Sequence, residues 1–178
     1  MLSSASNVHR GQCVRLAASV VALLLWMGFI FFMSANDGDH SQGMSDGVTS
    51  LVLSAVWPGY SSMSPDEQMA VVESLSFPVR KAGHFSEYAV LGMLAFAALR
   101  QAQALRASQA LQRARRIAPA AAGAVVAAFL YACFDEFHQL FVAGRSGQPF
   151  DVGVDTAGAL VAVAIAVAVV CRRERRRV

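Results

Sequence analysis

Six polar or ionisable side chains crowd into RKAGHFSEY, Arg80 to Tyr88, immediately before the apolar run AVLGMLAFAAL. A helix beginning here carries Lys81, His84 and Tyr88 at offsets of three and seven residues, so these share one face, with Glu87 at its flank. Lys81 can hold an anion, and His84 with a carboxylate can move a proton. Polar groups entering a bilayer are costly enough that they mark function by default. The plain alternative is that Arg80 and Lys81 anchor a span at the interface and His84 satisfies a helix end.

Two further stretches carry similar chemistry. In YACFDEFHQLF, Asp135 and Gln139 are an i, i+4 pair and Glu136 and Gln139 an i, i+3 pair, so one face presents two carboxylates and an amide. Adjacent acids at a helix C-terminus oppose the dipole, so a compensating cation, Lys81 or Arg145, is expected beside them. After the tight turn AGRSGQPF, Asp151 falls near an N-cap position, with Asp155 one turn deeper and Gly158 on the same face. An aspartate one turn into an apolar span is expected to line a polar site or to bond a neighbouring helix. The acid/base candidates are therefore His84, Glu136 and Asp135. The candidates for holding a substrate are Lys81, Glu87, Tyr88, Gln139, Arg145, Asp151 and Asp155. A metal variant would draw on His84, His138, Asp135, Glu136 or Asp155, but HExxH or similar ligand spacing is absent, so no metal site is expected. Nucleophilic serine chemistry has no G-x-S-x-G elbow to support it, and nothing in the sequence names a cofactor.

The elements that must position these residues follow from composition. The 178 residues are 56% hydrophobic and 15% charged, against about 25% charged in soluble domains. Charge-free stretches approach the length needed to cross a bilayer. The reading is all-α, a polytopic membrane protein in a single domain over 1–178, with spans at about 16–33, 82–100, 117–139 and 152–171. The first is read as a retained anchor, because MSAND lacks the small residues of a signal-peptide cleavage site. Three cysteines imply no disulfide framework, and Cys133 reads as a packing residue.

Charge sets the orientation. The N-terminal tail, the connection 101–116 and the tail RRERRRV are arginine-rich, whereas the connection 34–79 holds six carboxylates and no lysine or arginine. The positive-inside rule then places both termini in the cytoplasm of a bacterial plasma membrane and the 34–80 loop outside. Nearly all fourteen arginines flank apolar spans, so topology and anionic lipid explain the net charge of +3, and nucleic acid is not expected as a partner.

Within the outer loop, SANDGDHSQGMSDG reads as exposed loop. From Ser45, the apolar positions Val48, Leu51, Val52, Ala55 and Val56 predict a short amphipathic helix ended by WPGY. SPDE then forms a capping box from Ser64 to Glu67, opening a second short helix that Pro78 closes. These interfacial helices are expected to act as a lid or lipid-contacting collar. The connection 101–116 is rich in helix formers and is expected to extend the second span beyond the membrane and turn back before Pro119.

Alternating span directions put the start of the second, the end of the third and the start of the fourth at the outer face. Residues scattered over about 75 positions, from Lys81 to Asp155, thus fall at one membrane depth.

These residues also carry a resemblance. RKAGHFSEYAVLGML, FDEFHQLFVAGRSGQPFDVGVDTAGAL and the earlier FMSANDG resemble the VanZ-like integral membrane proteins over nearly the whole chain, apart from the tails and the 101–116 connection. The matching positions are Lys81, His84, Phe85 and Tyr88; Asp135, Glu136 and Gln139; Arg145; Asp151 and Gly158. Asp155 departs from the asparagine usual in that pattern, and brings an additional charge while still accepting hydrogen bonds. The resemblance implies a cell-envelope protein and, through the namesake of the family, an effect on susceptibility to the glycopeptide teicoplanin. Three functions stay open: an enzyme acting on a lipid-linked or cell-wall substrate, a binder of a membrane lipid, lipid-linked precursor or glycopeptide without turnover, and a structural role in which the charges only fix packing.

Overall fold

The structure, a computed structural model, describes residues 2–105 and 117–176. It contains five α-helices and no strand among the described residues: α1 Leu2–Ser34, α2 Gly38–Val56, α3 Pro65–Leu105, α4 Ile117–Gln139 and α5 Pro149–Arg175, with a 3-10 turn at Tyr60–Ser62. α1, from His9, and the whole of α3, α4 and α5 are long and apolar enough to cross a membrane. The expected turn within 101–116 lies mostly outside the described residues.

Small residues let the spans approach. Ala120, Ala124, Ala128 and Ala132 recur every fourth position on α4 and are all fully buried. Gly92 of α3 meets α5 so closely that a Cβ there would lie 3.0 Å from the Cα of Ala159. α1 is fastened by two ring donors: Trp26 Nε1 donates to the Glu87 carbonyl at 2.9 Å and the Tyr131 hydroxyl donates to the Met27 carbonyl at 2.6 Å.

The loop after α1 differs from expectation in two ways. α2 begins at Gly38, seven residues before Ser45, because Asp37 caps it by accepting from the His40 N–H at 2.8 Å. The Ser64 to Glu67 capping box forms, the Ser64 N–H donating to Glu67 Oε2 at 2.8 Å, but the helix it opens is not short. α3 continues through Pro78 into the second span. An interior proline removes one backbone hydrogen bond and costs about 3 kcal/mol in isolation. Here the flanking turn is held by its neighbours: Ser76 Oγ bonds the Val72 carbonyl and Asp46 of α2, and Arg80 Nη1 donates to Gln42 of α2.

α2 is inside out. Its polar residues Ser41, Thr49 and Asp46 turn toward the protein, while Val48, Leu51, Val52 and Val56 are exposed. An apolar stripe facing outward on a helix anchored by its polar face suits a bilayer boundary.

Candidate functional site

α3 and α5 form a ladder. Lys81 pairs with Asp151 in the first turn of α5. One turn on, His84 Nδ1 lies 3.8 Å from Asp155 Oδ1, and beyond it Tyr88 is fully buried. The close approach comes from Gly158, where a Cβ would collide with the Phe85 carbonyl. The Lys81, His84 and Tyr88 face thus looks at α5.

Asp151 is not the cap of its helix. Gln148 holds the N-cap position and Pro149 occupies N1, leaving Asp151 two residues further in, where its charge still favours the dipole.

α4 delivers Asp135, Glu136 and Gln139, all buried. Gln139 Nε2 donates to Asp135 Oδ2 at 3.2 Å, and the Gln148 N–H donates to Glu136 Oε2 at 2.7 Å. Gly147 permits the second bond, since a Cβ there would strike the Glu136 carbonyl.

Neither Lys81 nor Arg145 pairs with these acids. Lys81 goes to Asp151, and Arg145 donates through Nε to the Asn36 carbonyl at 3.1 Å and through Nη2 to the Met33 carbonyl at 3.5 Å. The last turn of α1 contains no basic residue, so its unpaired carbonyls compete for the guanidinium. Burial pulls Arg145 below the ordinary arginine range, as does the charge of Arg80, while Asp135, Glu136 and Glu87 act against them. The turn itself is tied to α2: Gly38 N–H donates to the Ala143 carbonyl at 3.0 Å, and Gly144 adopts φ +68°. His138 points toward α1, its ring 4.5 Å from that of Phe31.

Two adjoining cavities open among these residues. The first, about 190 Å³, has apolar walls from Ile30, Met33, Met44, Val48 and Val79 and polar ones that include Glu87 and Asp135. The second, about 330 Å³, is lined by polar groups including Asp39, Gln42, Lys81, Gln139 and Asp151. Arg80, His84 and Arg145 line both.

Arg80 is the functional candidate that sequence reasoning treated only as an anchor. Its signal was available: Arg80, Gly83 and Glu87 recur at i, i+3 and i+7, a second stripe beside the Lys81 face. Ser34 and Gln42 enter only through the packing of α1 and α2.

Four span-length apolar helices with a buried ionisable cluster where α3, α4 and α5 meet define a multi-pass helical membrane protein. The VanZ/LLP1 family model matches residues 19–171, which include every candidate site residue, and the chain belongs to that family. No curated protein and no solved structure matches it.

Proposed function

We propose that the protein recognises the anionic headgroup of a membrane lipid or lipid-linked cell-wall component at the outer face of the bacterial plasma membrane, with both termini cytoplasmic. The observation that carries this reading is the sharing of Arg80, His84 and Arg145 by one polar and one apolar-walled cavity. A ligand filling both has a charged head and a greasy continuation. Arg80 makes a single side-chain hydrogen bond among the described residues, to Gln42, so most of its donors remain available for an anionic oxygen. Phe77 lines the polar cavity, and Phe77, Phe141 and Phe150 are largely exposed, as side chains beside acyl chains can be. The arginine-rich stretches at the opposite end support the proposed orientation.

A modifying role is favoured by one feature. His84 Nδ1 has no hydrogen-bond partner among the described residues and faces Asp155, an arrangement suited to taking and returning a proton on a bound headgroup. Glu136 and Asp135 are further carboxylates, each with an oxygen within 4.8 Å of one on Asp155.

The test is retention of lipid by purified protein in phosphatidylglycerol and in phosphatidylcholine nanodiscs, read by native mass spectrometry. The wild type is expected to retain the anionic lipid selectively, and Arg80→Ala with Arg145→Ala to lower retention by about tenfold. Equal retention of both lipids would reject headgroup recognition. Modification is read separately, as a changed mass of envelope lipids that His84→Ala abolishes. Teicoplanin susceptibility of cells carrying the same variants tests the link to the cell wall.

A further inference from the structure

We propose that Asp135, Glu136 and Asp155 bind a single hard divalent cation, of the magnesium, manganese or calcium class, inside the helix bundle. One oxygen from each lies within 4.8 Å of the others, and the residues are 1%, 5% and 0% exposed. The hydrogen bonds already made leave the required atoms free. Asp135 uses Oδ2 on Gln139 and keeps Oδ1; Glu136 uses Oε2 on the Gln148 N–H and keeps Oε1; Asp155 keeps both oxygens. Four carboxylate oxygens are thus buried without a hydrogen bond among the described residues, and the donor beside Asp135 is the Ser34 hydroxyl, which is itself otherwise unpaired.

A second observation comes from a different side chain. The Tyr88 residue is 0% exposed, its hydroxyl has no partner among the described residues, and it feels the charge of Asp135, Asp155 and Glu136. A buried hydroxyl left unpaired costs about 1–3 kcal/mol. A water held on an ion among the three carboxylates would give that hydroxyl a partner.

No side-chain cation closes the site. Lys81 is paired with Asp151, Arg145 is engaged by carbonyls of α1 and the loop after it, and His84 Nδ1 remains 3.8 Å from Asp155. Ionised carboxylates in a low-dielectric interior are unstable by several kcal/mol each, so the three must be neutralised by bound protons or by a cation, and saturable metal binding separates the two. Donors that are all carboxylate oxygens select a hard ion over zinc, and three protein ligands leave coordination positions for water or for an oxygen of a bound molecule. The site shares Asp135 with the apolar-walled cavity and Asp155 with His84, but it is built without Arg80, so the two readings can be tested apart.

The test uses full-length protein in detergent, stripped with chelator and titrated with Mn²⁺ while electron paramagnetic resonance reads the free ion. The expected result is one Mn²⁺ per chain, displaced by Mg²⁺ or Ca²⁺, with affinity lowered about tenfold or more in Asp155→Asn and in Glu136→Gln. Arg80→Ala is expected to bind Mn²⁺ like the wild type even where it loses lipid, so the two proposals fail separately. Absence of saturable binding by wild-type protein that is helical by circular dichroism would overturn the site. So would wild-type affinity in both carboxylate variants. If either variant does not fold, the wild-type titration and the other variant decide.

Discussion

The two ends of the bundle handle charge differently. Toward the arginine-rich end, Ala95, Phe96, Ile117, Ala120, Ala124 and Val163 form a dry apolar cluster, and the Arg100–Glu174 ion pair, 3.3 Å long with side chains 24% and 34% exposed, stays partly wet. Toward the other end, the apolar cluster of Ile30, Tyr88, Leu91, Ala128, Ala132 and Ala159 gives way to Lys81–Asp151, with side chains 15% and 10% exposed, and to carboxylates with unpartnered oxygens. Charge enters the packing at both ends, but with one unpartnered nitrogen, Arg100 Nη1, at the first and four carboxylate oxygens at the second among the described residues. Buried ionic groups are poor stabilisers compared with apolar replacements, so a bundle selected only for stability has no use for the second arrangement.

The contrast can be broken by removing one partner at each end. Lys81→Ala leaves Asp151 buried without its cation and is expected to destabilise by about 3–5 kcal/mol, measured by thermal unfolding in detergent. Lys81→Met with Asp151→Leu should recover most of that loss; failure to recover would mean that the pair also fixes the geometry of α3 and α5. Next comes packing between the ends. Gly158→Val forces a side chain against the Phe85 carbonyl, and a loss of about 1–3 kcal/mol is expected by the same measurement.

Arg100→Ala should cost less than Lys81→Ala, about 1–2 kcal/mol, because its pair is the more exposed of the two, although Arg100 Nη1 is buried without a partner among the described residues. A loss as large as that of Lys81→Ala would erase the distinction between the ends. Smaller still is His84→Gln: the ring makes no hydrogen bond through Nδ1 among the described residues, so stability is expected to move by less than about 1 kcal/mol, while the proposed proton transfer to a bound headgroup would be lost. A single cysteine at Ser62 or at Arg176, in a cysteine-free background, sharpens the orientation without altering either end. Labelling by an impermeant thiol reagent in intact cells is expected at Ser62 and not at Arg176, and the reverse pattern would invert the proposed topology.

Much of this architecture was legible in the residues because its causes are local. Apolar runs near bilayer length predicted the helical class, and the exclusion of ionisable groups from hydrocarbon predicted that Lys81, His84, Asp135, Glu136 and Asp155 would share a depth. The capping box at Ser64 and Glu67 needs only four neighbouring residues, and it formed. Pro78 misled for the complementary reason. A proline argues for a break by local rules, whereas the donors and acceptors that hold the turn around it come from α2, more than thirty positions earlier at Asp46 and Gln42.

Partner choice was the other thing only tertiary structure decided. The sequence supplied three cations and several acids at one level; packing sent Lys81 to Asp151, Arg80 to Gln42, and Arg145 to the Met33 and Asn36 carbonyls at and just after the end of α1. The same packing turned the polar face of α2 inward, with Leu53, and its valines and Leu51 outward. Membrane depth follows from the transfer energy of each residue and can be read one segment at a time. Pairing follows from competition among donors and acceptors on segments far apart in the chain, and the winner depends on how closely glycines such as Gly158 and Gly147 let those segments approach.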